Sequence, residues 1–501
     1  MVVMSFSGIT YGFLRACFIT TWFIPFFIYW MFVIATFLIS SISNYVSKSF
    51  DLEAHDLLVR EGLPHYPSVD VWLPVCGEPL SVMRNTWCHV ALLEYPGPIT
   101  VYVLDDEGSL EDGVISPVEL MALEFGFEYL SRPNKGWMKK SGNLRHAYNH
   151  SSGEFVALFD ADFCPRSDFL TELMPYFEKD PRSAIVQSSQ YFRYDTRQHW
   201  IERGASEVQE FFYRMIQVSR SQKSAGVCCG TNAIYRRAAL EENGGMTMVP
   251  QGEDMRTGFD LTCLGWKVTY VPLNLAMGLN PADMSSFFKQ QYRWCSGSLA
   301  IVFDQRFWTK SISLESMLCY IAGFSYYVET AVFMLVMPVF TIAMLVFYPQ
   351  HFKVIYYDVI GPSLAIMLIV YPLWHRCRYG LAAWGIRIAQ QWTYIFAITD
   401  FINGSTIPWD ATGSTVKAVS ASKRFYNFRL SLLIWNGGMT TAWLTLAVWR
   451  SLAGNWVNFA FVSILGGLWT LMSWRVIFTA YLWTDPPRPG QIKTFEWEHN
   501  G

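Results

Sequence analysis

The pair Asp160 and Asp162, spaced as D-A-D, closes the β-rich run EFVALF, and Asp105 and Asp106 close the run ITVYVL. Two carboxylates one residue apart at a strand end can hold a divalent cation together with a diphosphate, because Mg²⁺ and Mn²⁺ take oxygen ligands and share them with substrate phosphates. Asp is also common in solvated turns. The second acidic strand end, placed earlier at α/β spacing, favours the ligand-binding reading. Between the two lies KKSGNL, residues 139–144, whose Lys140 beside a Gly-Asn turn can approach a diphosphate or a nucleobase carbonyl, or sit in a surface turn. Glu253 and Asp254 open EDMRTGFDLTCLGW. A carboxylate there can accept a proton from a hydroxyl nucleophile, or can simply be an acidic helix start favoured by the dipole. VCCGTNAIYRR, residues 227–237, reads as a tight turn before a basic helix start, with Cys228 and Cys229 as buried, inert thiols. Lastly, QQYRW sets Gln290, Arg293 and Trp294 at i, i+3 and i+4, which puts an amide, a guanidinium and an indole on one helix face.

These groups need elements to carry them. VDVWLPV, ITVYVLDD, EFVALFDAD and SAIVQSSQYF are short, β-rich and separated by helical stretches. That alternation is an α/β pattern, and such sheets bind ligands at the carboxyl ends of their strands. The whole chain is 501 residues, 52% hydrophobic and 16% charged, greasier than a soluble protein of this size. A net charge of −3 argues against nucleic acid as a partner. Ten cysteines without a CxxC pair make disulfide frameworks and zinc sites unexpected and suit a reducing compartment.

Residues 13–40 are apolar for longer than a signal peptide core and read as one retained transmembrane helix. Further spans are expected at about 320–348, 355–374, 430–449 and 457–483. The basic, amphipathic stretch 375–401 suits the membrane surface. Arg376, Arg378, Arg387, Lys417, Lys423 and Arg424 share one loop, which should therefore be cytosolic, and five spans then place the middle region and the C-terminus in the cytosol too.

Taken in order, the motifs resemble those of the membrane-embedded processive family 2 glycosyltransferases: cellulose synthases and the related mixed-linkage glucan, curdlan and hyaluronan synthases. LPVCGEP resembles a Pro-x-Tyr-Asn-Glu-Pro-like run with Glu78 retained; VLDDE is similar to the first Asp motif; KSGNL to Lys-Ala-Gly-Asn-Leu; DAD to Asp-x-Asp. VQSSQYF resembles Val-Gln-Thr-Pro-Gln-x-Phe, VCCGT the Phe-Cys-Gly-Thr/Ser acceptor segment, GED the Thr-Glu-Asp motif and QQYRW the Gln-x-x-Arg-Trp motif. The match runs roughly over residues 65–480.

The resemblance implies a GT-A-like, Rossmann-related α/β glycosyltransferase domain in the cytosol, inserted between transmembrane α-helices. Its expected divisions are 1–51 (transmembrane helix), 52–312 (catalytic domain), 313–483 (channel region, with a gating-like loop at 403–424) and 484–501 (tail). It implies that Glu78, Asp105, Asp106, Lys140 and Arg293 contact the nucleotide sugar, and that Asp160 and Asp162 hold the diphosphate and its Mg²⁺ or Mn²⁺. Asp254, with Glu253 beside it, becomes the general base; Cys229, Gly230, Thr231, Gln290 and Trp294 shape the acceptor site; Trp409, Ala411, Thr412 and Lys417 fall in the gating loop. The implied partners are UDP-glucose, a growing β-glucan, the lipid bilayer, and a homo-oligomer or accessory export subunit, in the plasma (inner) membrane. Gly252 replaces the motif Thr, Cys76-Gly77 replaces Tyr-Asn, and Ser414 stands at the gating Lys position, marking a divergent branch. The tail after Trp483 resembles no PilZ domain, and nothing resembles the plant zinc-binding N-terminus, so neither regulation is expected within this chain. Cellulose or mixed β-1,3/β-1,4-glucan is the first product expected, with pure β-1,3-glucan or hyaluronan as alternatives. A non-processive transferase of a single sugar usually lacks Gln-x-x-Arg-Trp, and the acidic strand ends argue against a transporter without chemistry.

Overall fold

VDVWLPV is buried along its whole length as strand β1 (Val69–Val75), which is the burial required of a parallel strand covered on both faces. The computed structural model describes residues 2–43, 49–107, 115–195, 198–309, 312–353, 379–405 and 419–483, with a few positions between 361 and 373. The other strands are β2 (Ile99–Asp105), β3 (Glu128–Ser131), β4 (Phe155–Leu158), β5 (Phe163–Pro165), β6 (Ser183–Phe192), β7 (Ala233–Arg236) and β8 (Lys267–Gly278). They form one sheet in the order β3-β2-β1-β4-β7-β6-β8-β5. The β3-β2-β1-β4 half is parallel, β7 runs antiparallel to both β4 and β6, and β6 and β8 are parallel. The direction of β7 matters most for the site. Ala233 pairs with Leu158, so the segment leading into β7 starts at the edge where β4 ends.

β1 and β6 coincide with the expected runs, and β2 and β4 lie within theirs. The turn expected at 227–237 holds a strand as well: AIYR is β7, four residues too short to show a period.

Ten helices matter here: α1 (Val2–Ile19), α2 (Ile24–Ser43), α3 (Lys139–His150), α4 (Trp200–Phe211), α5 (Glu253–Cys263), α6 (Met284–Val302), α7 (Leu314–Phe347), α8 (Leu381–Ile402), α9 (Gly438–Ala453) and α10 (Trp456–Leu482). Among the described residues, three helical stretches are long and apolar enough to cross a membrane: Thr21–Ser43, Leu314–Phe347 and Trp456–Leu482. The segment read as one helix over 13–40 is two. Thr20 is extended and its hydroxyl accepts from the Trp22 amide, and α1 folds back on α2. Phe13 stacks on Trp30 at 5.7 Å, Phe6 meets Phe37 at 4.4 Å, and the Trp30 indole donates to Thr10 Oγ1 at 2.8 Å. Helix α9 continues an earlier helix, Val419–Ser431, through a π turn at Leu432–Gly437. Most of 355–374 lies outside the described residues.

The stretch expected to lie on the membrane surface becomes α8, buried among α4, α6, α7 and α10. Its first turn is capped from the α/β domain, where Glu207 Oε2 accepts from the amides of Gly380 (2.9 Å) and Ala383 (3.2 Å). A carboxylate there satisfies orphan N–H groups and complements the helix dipole. Gly204, one turn before Glu207, allows α4 to touch α8: a Cβ on it would lie 2.6 Å from Ala382 O and from Ile386 Cγ1. Lys223 ties a second seam, its ammonium donating to the carbonyls of Ile42 (2.7 Å) and Ser43 (2.6 Å) at the end of α2.

Gly204→Val should therefore lower the thermal midpoint of the detergent-solubilised protein, by the roughly 1–3 kcal/mol that overpacking costs. An unchanged midpoint would show that the α4–α8 contact yields freely.

Candidate active site

The strand ends converge on one edge. Val75 pairs with Asp105 and Asp105 with Ser131, which sets Glu78, Asp105 and Asp106 beside one another just past β1 and β2. Asp160 and Asp162 follow β4, and the turn Gly230–Thr231 enters β7 at the same edge. The segment 227–229 is framed from behind. Gln187 Nε2 and Gln217 Nε2 each donate to Val227 O at 2.6 Å, and Gln187 Oε1 accepts from the Cys229 amide at 3.1 Å.

At the centre stands Lys140. Its ammonium donates to Asp160 Oδ1 (2.5 Å) and to Gly230 O (2.9 Å), with Glu253 Oε1 at 3.9 Å. Burial works against its charge, but Asp160, Glu253 and Asp254 outweigh that and hold its pKa above the usual lysine range. Asp254 rises for the opposite reason, pushed up by burial and by Glu253, with Lys140 pulling the other way. Its Oδ1 accepts from the Met255 amide at 2.8 Å. Gly230 presses on it: φ is +71°, and a Cβ there would lie 2.7 Å from Asp254 Oδ2. Gly252, at φ +68°, makes the same approach to α6, since its Cβ would meet Gly297 Cα at 3.1 Å. This accounts for glycine where the related motif has Thr: the start of α5 and the helix carrying Arg293 are nearly in backbone contact.

Gln290, Arg293 and Trp294 are half-buried on α6, whereas Gln291, Tyr292 and Cys295 are buried. Of these three, Arg293 stands in the field of the carboxylates. Burial pulls the Arg293 pKa down while Glu253, Asp160, Asp254 and Asp162 all act to raise it. The opposite face anchors the helix. Gln291 Oε1 accepts from Tyr394 Oη (2.7 Å) and Gln390 Nε2 (3.0 Å), and Tyr292 donates to Asp400 Oδ2 (3.0 Å), all on α8. Arg424 closes an ion pair on the other oxygen of Asp400.

Two expected ligand contacts look different in place. Asp106 is 6% exposed and its oxygens are already engaged: Arg132 Nε donates to Oδ1 (2.6 Å), Arg132 Nη2 to Oδ2 (2.7 Å), and the Gly136 amide to Oδ1 (3.1 Å). Its carboxylate braces the loop before α3 rather than facing the nucleotide. Thr231 is buried and accepts from the Asp160 amide at 3.0 Å, so it positions the D-A-D turn. Asp105 is held by Tyr129 Oη (2.7 Å) and the Glu107 amide (2.9 Å). Burial pushes the Cys228 thiol up to about 12, as expected of an unreactive side chain. Trp409, Ala411, Thr412 and Lys417 lie outside the described residues. Arg132, Tyr129 and Gln217 are residues sequence reasoning missed, and none sits in a spacing that carries a signal; Gln187 stands in the VQSSQYF run but was given no role from it.

Burial, with Asp160 adding repulsion, pushes both Glu78 and Asp162 up to about 7. Hard oxygen donors crowded so that they resist ionising fit a divalent cation. Among the described residues no three protein ligands form a cage by themselves, so such an ion needs further oxygens from phosphate or water.

Residues 155–374 match the family model described as Glycosyl transferase family group 2. The chain is 33% identical over 266 residues to a cellulose synthase catalytic subunit [UDP-forming] of Xanthomonas axonopodis pv. citri (strain 306), covering 51% of this chain and 35% of that protein. It is 30% identical to cellulose synthase 1 of Komagataeibacter xylinus over 52% of this chain and 16% of that one. Against cellulose synthase 2 of Novacetimonas hansenii it is 28% identical over 70% of this chain and 21% of that one. The chain thus matches little more than a third, at most, of these relatives' length. Among solved structures, a mannosyltransferase from Pyrobaculum calidifontis in complex with GDP-Man and Mn²⁺ superposes with TM-score 0.50 at 15% identity, covering 76% of this chain and 99% of that one. Residues 155–374 are thus similar to glycosyltransferase family 2, the α/β domain has a GT-A-like fold, and membrane-length helices flank it.

Arg132→Met should strand the Asp106 carboxylate and cost roughly 3–5 kcal/mol, read as a drop in thermal midpoint. Adding Asp106→Leu should recover much of that loss; no recovery would mean the pair does more than brace the loop.

Proposed function

We propose that the chain is an inverting, processive glycosyltransferase that moves glucose from UDP-glucose onto a growing β-glucan, cellulose or a mixed β-1,3/β-1,4-glucan, and passes the polymer through its membrane helices. The observation that carries this reading is Lys140, which gathers Asp160, Glu253 and the Gly230 carbonyl at one point, with Asp254 against Gly230 and Arg293 among the same carboxylates. Cellulose synthases from three bacteria as relatives support the substrate class. The catalytic domain and C-terminus are read as cytosolic, in the plasma (inner) membrane.

The reaction follows from this arrangement. An acceptor hydroxyl seated between Trp294 and the Cys229–Thr231 turn lies next to Asp254. The carboxylate takes the hydroxyl proton as the oxygen attacks the anomeric carbon of glucose. The bond from that carbon to the UDP oxygen breaks on the opposite face, UDP leaves with the electron pair, and an α-linked donor gives a β-linked product. A base works best when its pKa is near the working pH, and burial and Glu253 move Asp254 in that direction. Arg293 offsets the charge that develops on the leaving diphosphate in a water-poor site, where such stabilisation is strongest. Asp160 and Asp162 would hold Mg²⁺ or Mn²⁺, which supplies further charge neutralisation of the diphosphate. Glu78 and Asp105 border the nucleotide, Lys140 keeps the acidic segments together, and Trp294 offers a flat apolar surface to the terminal sugar. The membrane helices begin where this site ends, and α7 and α10 are long enough to enclose an exit.

Membranes containing the protein should convert UDP-glucose, with Mg²⁺ or Mn²⁺, into a polymer that linkage-specific glucanases digest. A donor panel that gives no polymer would end the proposal. Asp254→Asn should reduce synthesis about 10²–10⁴-fold, the range for losing a general base, while UDP binding measured by calorimetry stays at the parent value. Loss of UDP binding would pass the base role to another carboxylate.

A further inference from the structure

Two arginines are buried among the described residues, and they contrast sharply. Arg132 has Asp106 and the carbonyls of Trp137 and Lys139 around its fork. Arg220 is 6% exposed, and its Nε is covered and without a hydrogen-bond partner among the described residues; its two terminal nitrogens donate to no protein group there. Burial pushes its pKa down, while Cys319, Tyr320, Tyr327 and Cys229 act the other way. Buried polar groups are nearly always satisfied, and a buried charge without a partner is an expensive arrangement to keep without a use.

Its position suggests the use. Tyr213, Gln217 and Arg220 follow one another at i, i+4 and i+7 along one face of the helical stretch after α4. The first two grip the acceptor side of the site: Tyr213 donates to Gln190 Oε1 (2.6 Å), and Gln217 Nε2 donates to Val227 O (2.6 Å) and approaches Cys229 Sγ (3.2 Å). The third reaches past that segment to α7, where a Cβ on Gly323 would lie 3.0 Å from Nη2 and 3.5 Å from Nη1. One turn further along α7, Tyr327 lies beside Cys295 and Ser298 of α6. Ser298 is one turn beyond Trp294 on the same face. The unpaired guanidinium therefore stands between the acceptor turn, the Trp294 helix and a membrane helix, on the route from the first to the last.

We propose that Arg220 is a saccharide subsite on the exit side of Trp294, its guanidinium fork donating to a pair of neighbouring ring hydroxyls of the sugar behind the acceptor residue. The proposal rests on the glycosyl-transfer reading above. A guanidinium presents five donors in a fixed plane and no acceptor, which suits a ligand dense in oxygen acceptors. Sugar hydroxyls can satisfy it there without bringing a second charge into the seam.

The test uses Arg220→Met, which keeps the length of the side chain and removes the unpaired charge. The full-length variant in detergent should unfold at the same or a higher temperature than the parent. Its UDP affinity should stay within about twofold of the parent, and its polymer yield should fall about tenfold, with shorter chains, as expected when a ligand's polar contact is lost. Independently of activity, cellotetraose, laminaritetraose and chitotetraose are added separately in thermal-shift assays. At least one should raise the midpoint of the parent and raise that of Arg220→Met less. If laminaritetraose or chitotetraose alone does so, the subsite stands and the cellulose reading falls. If no oligosaccharide shifts the parent, or if the variant keeps the full shift and full yield, Arg220 is not a saccharide subsite. A variant that unfolds well below the parent would make the arginine structural and overturn the proposal too; Arg220→Lys, which keeps the charge, should then restore the midpoint.

Discussion

One ammonium group holds the centre of this protein together. Asp160, Glu253 and Asp254 arrive from distant segments, and their carboxylates would repel one another in a shared, half-buried cleft. Lys140 meets that repulsion at the point of convergence and also binds the Gly230 carbonyl, so three loops are registered against one atom. Coulomb energies at such separations are several-fold larger in a protein than in bulk water. The same cation that keeps the acids close therefore also keeps the loops from sliding.

The sheet delivers those loops. A purely parallel sheet would bring only strand ends to the edge, and the Asp residues after β2 and β4 use that route. The antiparallel β7 adds a strand beginning at the same edge, which brings the Cys229–Thr231 turn face to face with the Asp160 turn. The second half of the sheet then leads into α6, and the glycine contact between Gly252 and Gly297 sets that helix against the start of α5. The Asp160 turn and the Cys229–Thr231 turn thus come from the two halves of one sheet and meet at a single edge.

Much of this could be read before any coordinates. β1 and β6 are buried on both faces and show as continuous β-rich runs, and the carboxylates stand out because each ends or follows such a run. β7 could not be read, since four residues carry no period. The break at Thr20 was hidden because apolar residues continue on both sides of it, so that one helix and a hairpin look alike in hydropathy. The bracing role of Asp106 could not be read, because its partner, Arg132, lies outside any motif. Arg220 was invisible for a related reason: what marks it is the absence of a partner, which only three-dimensional neighbours reveal. Residues 375–401 are amphipathic as judged from sequence, but in α8 the polar residues Gln390, Gln391 and Asp400 are buried among other helices.

The cap that Glu207 places on α8 has a consequence for how the chain is made. The acceptor of that bond precedes its donors by 173 and 176 residues. On a ribosome adding about 5–20 residues per second, the α/β domain is finished several seconds before α8 emerges. Throughout that interval a carboxylate and a groove shaped for a helix stand without their occupant beside the insertion machinery. The nascent domain is a half-built socket that α8 must reach before another apolar segment does.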